Sequence, residues 1–401
     1  MKVCQWFDIY YLWIDSLCII QGDGEDWHNQ AGRMADIYEG AYVVIFSSAV
    51  RDSTTGFLLD WEKRYKEEYN DFRDVKHAIR STEILDNSPP FDTIPPNHDK
   101  TDNEYPIYSR GWCFQEQLVA IRILHFLRSD IFFQCRSEYR GEFGSVPAST
   151  GLKLDFTIIE RGKGSIGSPL KPYRVYNTSF WLDLIENFSE KRLTYASDKL
   201  PALSGIASRF YCASHRCGQY IAGMWERHLM RYLLLYTPFW LDHKTQRLPN
   251  FVAPSFAWPS IDGRLEWLRY PEYSEFSAEV IKWVVKPCGA NLFGNLSHAS
   301  LTISGASLPG IIVSRVSSHG RPGVKLGDVI TKPVLLDVPD ELDTLEGKGV
   351  FCLKLGEINV KAVGLLLQPL TTSATLKRVG FFQSIPNRSF EESQKDTFEI
   401  I

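Results

Sequence analysis

The chain has 401 residues, a net charge of -4, 44% apolar residues and 23% charged ones. This length suits two or three domains, and the apolar fraction is that of a globular protein rather than a disordered one. The small net charge, with Lys and Arg interspersed among acids, excludes a basic field for nucleic acid or an anionic membrane.

No run of about 18 apolar residues occurs, so no membrane span is expected. Met1–Asp8 lacks an apolar signal core and a cleavage site. The eight cysteines are scattered and are expected to be reduced thiols. The sequons at Asn177, Asn187, Asn295 and Asn387 are expected to stay unglycosylated, and a cytoplasmic location is expected. Eleven tryptophans point to large aromatic cores.

Tyr10–Ile20 is an apolar run broken only by Asp15 and Ser16, which predicts a buried strand. Gln21–Glu25 carries turn chemistry. A helix is predicted next. Trp27, Ala31, Met34, Tyr38 and Ala41 form one apolar stripe, Asp23 and Asp26 favour its N-terminus, and Gly40 closes it. Ala41–Phe46 predicts a second buried strand, so residues 10–46 read as a βαβ unit. Asp60–Tyr105 is charged and proline-rich, an excursion with a short helix near Glu62–Ile79. Ser109 is placed to cap a helix running from Arg110 to about Ala120. Strands are predicted over Ile121–Phe126 and Ile131–Cys135.

Glu138–Val175 reads as a connector. Helices are predicted at Phe180–Phe188, Lys199–Ala213 and, most strongly, Ala222–Tyr236. After Pro249 the pattern changes to short strands: Ser300–Ser304, Ile311–Val316, Val334–Asp337, Val350–Leu355, Val363–Leu367 and Val379–Gln383, an antiparallel β module.

The residues with chemical potential lie in the first third. Trp112 and Glu116 are at i and i+4, on one helix face, while Phe114, Leu118 and Ile121 are placed to dock that helix on the sheet. Burial beside an indole raises a carboxyl pKa. Asp15 sits where α/β sheets bind ligands, or caps the turn before Gln21; both readings stay open. Ser47 and Ser48 come after the second strand, at the ligand edge or in a polar turn. Cys212, His215 and Cys217 fit no standard zinc spacing, so no metal is expected. No phosphate-binding glycine loop and no serine nucleophile elbow occurs.

Leu12-Trp13-Ile14-Asp15-Ser16-Leu17-Cys18-Ile19-Ile20-Gln21 and Tyr108-Ser109-Arg110-Gly111-Trp112-Cys113-Phe114-Gln115-Glu116 resemble, in order, the second and third sequence blocks of the fungal heterokaryon-incompatibility (HET) domain. The resemblance covers roughly residues 10–135. The segments Ser197–Ala207, Tyr220–Trp225 and Ala253–Ser260 are similar to the region after that domain in many members. The family's opening block, Ser-Tyr-x-Trp-Gly, is absent, which suggests a domain lacking its first strand.

The HET family is similar to Toll/interleukin-1 receptor (TIR) domains, which carry the spacing of Trp112-Cys113-Phe114-Gln115-Glu116 on one helix. This resemblance implies a TIR-like (flavodoxin-like) α/β fold, a parallel sheet flanked by helices, over about residues 1–140. A helical region (141–250) and then a β-rich module (251–401) are expected beyond it. The resemblance also implies Glu116 as the catalytic carboxylate of NAD cleavage; Asp15, Ser47 and Trp112 are the residues expected to bind the nucleotide, and Cys113 is read as packing. NAD would be a substrate, with no cofactor. The implied role is non-self recognition leading to programmed cell death, through homotypic or heterotypic assembly with like domains. The alternatives are a non-enzymatic signalling and assembly module, or an inactive truncated paralogue.

Overall fold

Asp23 starts the first long helix, as its position suggests. The computed structural model describes residues 2–48, 50, 52, 54, 56–58, 105–127, 131–135, 138–141, 144–147, 178–213, 217–238, 245–269, 275–314, 321–331, 333–370 and 374–401. Two short helices come first, α1 (Lys2–Trp6) and α2 (Asp15–Cys18), then α3 (Gly24–Gly40). The Asp23 carboxylate accepts the amides of Glu25 and Asp26, satisfying donors that no helical carbonyl can reach. Gly40 ends the helix. Ala31, Met34 and Ala35 face inward.

Tyr10–Ile20 is not a strand, so the expected βαβ unit lacks its first member. Asp15 accepts the amide of Ser16 and Asp26 accepts the amide of Ile20, at 2.7 and 2.8 Å. Local carboxylates thus take donors that a sheet ladder would need. No described strand lies alongside this stretch, and Tyr10, Tyr11, Leu17 and Ile20 are between 63% and 91% exposed.

The first sheet holds β1 (Val44–Phe46), β2 (Arg122–Phe126), β3 (Ile131–Cys135), β4 (Glu138–Gly141) and β5 (Gly144–Pro147), in that order. Only β1 and β2 are parallel; the other described pairs are antiparallel. The described sheet is therefore mixed, where the sequence suggested a parallel one. The helix expected at Glu62–Ile79 lies outside the described residues.

Helix α4 (Gly111–Val119) precedes β2. Ser109 does not cap it: its hydroxyl donates to the Pro106 carbonyl. The Arg192 carbonyl instead accepts the Gly111 amide at 2.8 Å, so a distant backbone segment satisfies the helix start. Helices α5 (Thr178–Ser189) and α6 (Pro201–Ala213) match expectation within a few residues. Phe114 packs on Phe188 of α5, ring centroids 5.6 Å apart, so α4 docks on helices rather than on the sheet. Gly205 on α6 donates its amide to the Gln115 side chain at 2.8 Å, and Ala35 of α3 also reaches this glycine. Only a residue without Cβ permits that approach.

The helix expected over Ala222–Tyr236 is instead a hairpin, β6 (Tyr220–Ile221) and β7 (Met224–Trp225), with one helical turn after it, α7 (Leu229–Tyr232), and then β8 (Leu235–Tyr236). Ala222 and Gly223 sit at φ 50° and 94°, the positive angles that a tight hairpin turn requires. The Gly223 carbonyl accepts the indole N–H groups of both Trp181 and Trp258, at 3.0 and 3.1 Å. A Cβ at Gly223 would overlap the Trp258 ring. Gly223→Ala is expected to lower unfolding free energy by about 2 kcal/mol or more. A urea denaturation midpoint unchanged from wild type would contradict this.

Two short ribbons come next, β9 (Gln246–Arg247) with β10 (Ile261–Asp262), and β8 with β11 (Glu266–Trp267). The expected β module is present. Nine strands form one sheet: β12 (Glu279–Pro287), β13 (Leu296–Val313), β14 (Gly323–Leu326), β15 (Val329–Ile330), β16 (Leu335–Leu336), β17 (Gly349–Ile358), β18 (Lys361–Pro369), β19 (Leu376–Pro386) and β20 (Lys395–Ile400). Strand β13 is its spine, pairing with β12, β14, β17 and β20 along 18 residues.

One apolar core joins the helices to this module. Trp181, Trp225 and Trp258 share it with Leu301, Ile303 and Phe398, which accounts for part of the tryptophan richness. A smaller cluster, Val44, Phe46, Ala120 and Ile123, lies on the first sheet.

Candidate functional site

Helices α3 and α4 build the site together. Glu116 is 9% exposed, and its carboxyl pKa is raised to about 7. Burial is the main cause, and the Asp15 carboxylate adds to it. The Arg110 charge and hydrogen bonds from Tyr38 and Cys113 act in the opposite sense. Burial also pushes the Tyr38 hydroxyl and the Cys113 thiol up, with the Glu116 charge second, so both remain protonated donors near neutral pH.

Trp112 is half-buried one turn before Glu116. Its indole donates to Asp198 at 2.9 Å, and Trp27 meets it edge to face at 6.1 Å. Burial raises the Asp198 carboxyl. Trp13 packs edge to face on Tyr38 at 5.6 Å, so the N-terminal stretch lies against the ring that holds Glu116. Arg209 of α6 pairs with Asp36 and Glu39, fixing α3 in place.

Three of the four expected residues thus fall in one region: Trp112 and Glu116 on α4, and Asp15 acting on Glu116 through its charge. Ser47 is not joined to Glu116 by a hydrogen bond among the described residues. Its neighbour Ser48 is the buried one, and begins a polar chain at the end of β1. Ser48 Oγ lies 3.2 Å from the Tyr108 hydroxyl, which lies 2.7 Å from His125 Nδ1; His125 Nε2 lies 2.8 Å from Gln134 Oε1.

Sequence reasoning missed Tyr38, assigned to the apolar stripe of α3, and Asp198. The signal for Tyr38 was a tyrosine on a core-facing stripe, whose hydroxyl must find a partner. Asp198 is 86 positions from Trp112 and left no local signal. Cys113, read as packing, both packs and donates to the carboxylate.

Chemically, a carboxyl held near pH 7 can take or give a proton, and when ionised it can face a developing cation. Among the described residues no group of three His, Cys, Asp or Glu could hold a metal. Cys212 is exposed, Cys217 is buried, and His215 lies outside the described residues. Among the described residues no helix is long and apolar enough to cross a membrane.

A mixed α/β unit with a buried carboxyl between two helices is thus the class of domain at the N-terminal end. Residues 1–116 match the model of the family described as heterokaryon incompatibility protein (HET). The match spans under a third of the chain and ends at Glu116 itself. No curated protein and no solved structure matches the chain.

Proposed function

We propose that the protein acts in heterokaryon incompatibility as a cytoplasmic trigger of cell death, and that it does so by hydrolysing NAD between nicotinamide and ribose. The observation that carries the reading is Glu116, buried on α4 with its pKa raised to about 7 among Tyr38, Cys113 and Asp15. Nicotinamide leaves a cationic parent as a neutral base, so its departure needs little acid assistance. The ribose becomes an oxocarbenium ion, which the ionised Glu116 stabilises. Water then adds to the anomeric carbon and loses a proton, giving ADP-ribose. Trp112, Asp15 and Ser47 are assigned to the nucleotide, Trp112 through its ring.

The test is NAD concentration over time with concentrated purified protein, wild type against Glu116→Gln. Loss in the wild type, slowed at least about 100-fold in the variant, is expected. No loss from folded wild-type protein would sink the enzymatic reading.

One observation favours a second reading, a non-enzymatic assembly module pairing with itself or a related domain. Trp6, Tyr10, Tyr11, Leu17 and Ile20 are exposed within one stretch, the kind of patch that marks an interaction surface. Under that reading Glu116→Gln keeps death signalling, and Tyr11→Ser with Leu17→Ser abolishes it.

A further inference from the structure

A cleft of about 350 Å³ opens far along the chain from Glu116, between the 248–255 loop, the start of β13 and the ends of β19 and β20. Its volume lies in the range of small-molecule sites. Arg247, Lys377, Ser297 and His298 line it, and Phe251 and Leu370 supply apolar surface. Phe251 is 53% exposed, a large apolar side chain left at the rim.

The cationic wall is under-compensated. Arg247 and Lys377 share one carboxylate, Glu341, at 3.1 and 3.5 Å. The other acid of the network, Asp337, is engaged by Arg378 at 3.1 Å and reaches Arg247 at 3.4 Å. Two carboxylates thus serve three cations, of which Arg247 and Lys377 line the cleft together with Ile401, while Arg378 is fully buried. One terminal nitrogen of Arg247 is buried with no hydrogen-bond partner among the described residues. Burial, and then the Arg247 charge, pull the Lys377 pKa down. An anion entering between the two side chains would relieve that repulsion.

We propose that this cleft binds a small organic anion, its carboxylate or phosphate group held between Arg247 and Lys377 and its apolar body against Phe251 and Leu370. The polar groups fix one end, and the ring and leucine walls accept the other.

Calorimetric titration with phenyl phosphate tests it on the full chain, with inorganic phosphate and phenol as the two separate halves. Saturable binding of phenyl phosphate with a roughly millimolar dissociation constant is expected for so small a probe. Lys377→Met is expected to weaken it at least about tenfold. Phe251→Ala, at an exposed position, keeps the question answerable should Lys377→Met fail to fold. It is expected to weaken phenyl phosphate roughly threefold and to leave inorganic phosphate unchanged. Absence of saturable binding to the wild type overturns the proposal, as does equal affinity in a folded Lys377→Met protein or in Phe251→Ala.

Discussion

Arg378→Met is expected to cost about 3–5 kcal/mol of unfolding free energy. The Arg378 side chain is fully buried where β19 meets the 233–236 segment. It donates to Asp337 through Nε and Nη2, at 3.1 Å each, and to the carbonyls of Leu233 and Leu235 at 2.8 and 2.6 Å. Removing it leaves a carboxylate 1% exposed, with Arg247 at 3.4 Å as the remaining ion pair among the described residues, and two carbonyls without these donors. An unpaired buried charge costs more than the pair itself contributes, so pairing Arg378→Met with Asp337→Leu is expected to recover much of the loss. Urea denaturation of the three variants measures this. A loss below about 1 kcal/mol in the single variant would mean that Arg247 alone satisfies Asp337.

The second large effect is a pH dependence of stability set by Glu116. Its folded pKa is about 7 against an ordinary value of 4.5, so the folded state binds the proton more tightly than the unfolded chain does. Stability from this group is fully present below pH 4.5. It is lost as pH rises towards 7 and stays lost above that. The shift corresponds to about 3 kcal/mol. Glu116→Gln, which cannot ionise, is expected to remove this slope. The difference in unfolding free energy between variant and wild type should move by about 3 kcal/mol in the variant's favour between pH 4.5 and pH 8. A constant difference across that window would show that Glu116 is not held near pH 7. Taking the variant difference cancels other titrating groups common to both proteins.

Both effects show how far local pattern reaches. Helix α3 was legible because its stripe, its Asp23 cap and its closing Gly40 agree with one another. The strands of the C-terminal module were legible because alternation and turn residues mark them, although their joining through the 18-residue β13 was not. Tyr10–Ile20 misled because an apolar run looks the same whether or not a neighbouring strand is there to receive it. The hairpin at Ala222–Gly223 misled because helical spacing at Trp225, Leu229 and Tyr232 hid a turn fixed by two distant tryptophans.

The sequence by itself determined the family blocks, the helix that carries Trp112 and Glu116, and the change from helices to strands in the second half. These depend on spacings within about one or two turns of chain. The tertiary structure alone decided that Tyr38, Cys113 and Asp15 meet at Glu116, that Asp198 takes the Trp112 indole, and that Arg378 is locked in the core. Those pairings join residues up to 145 positions apart. They form because a buried polar atom must find a partner wherever packing brings one, and packing is a property of the whole chain.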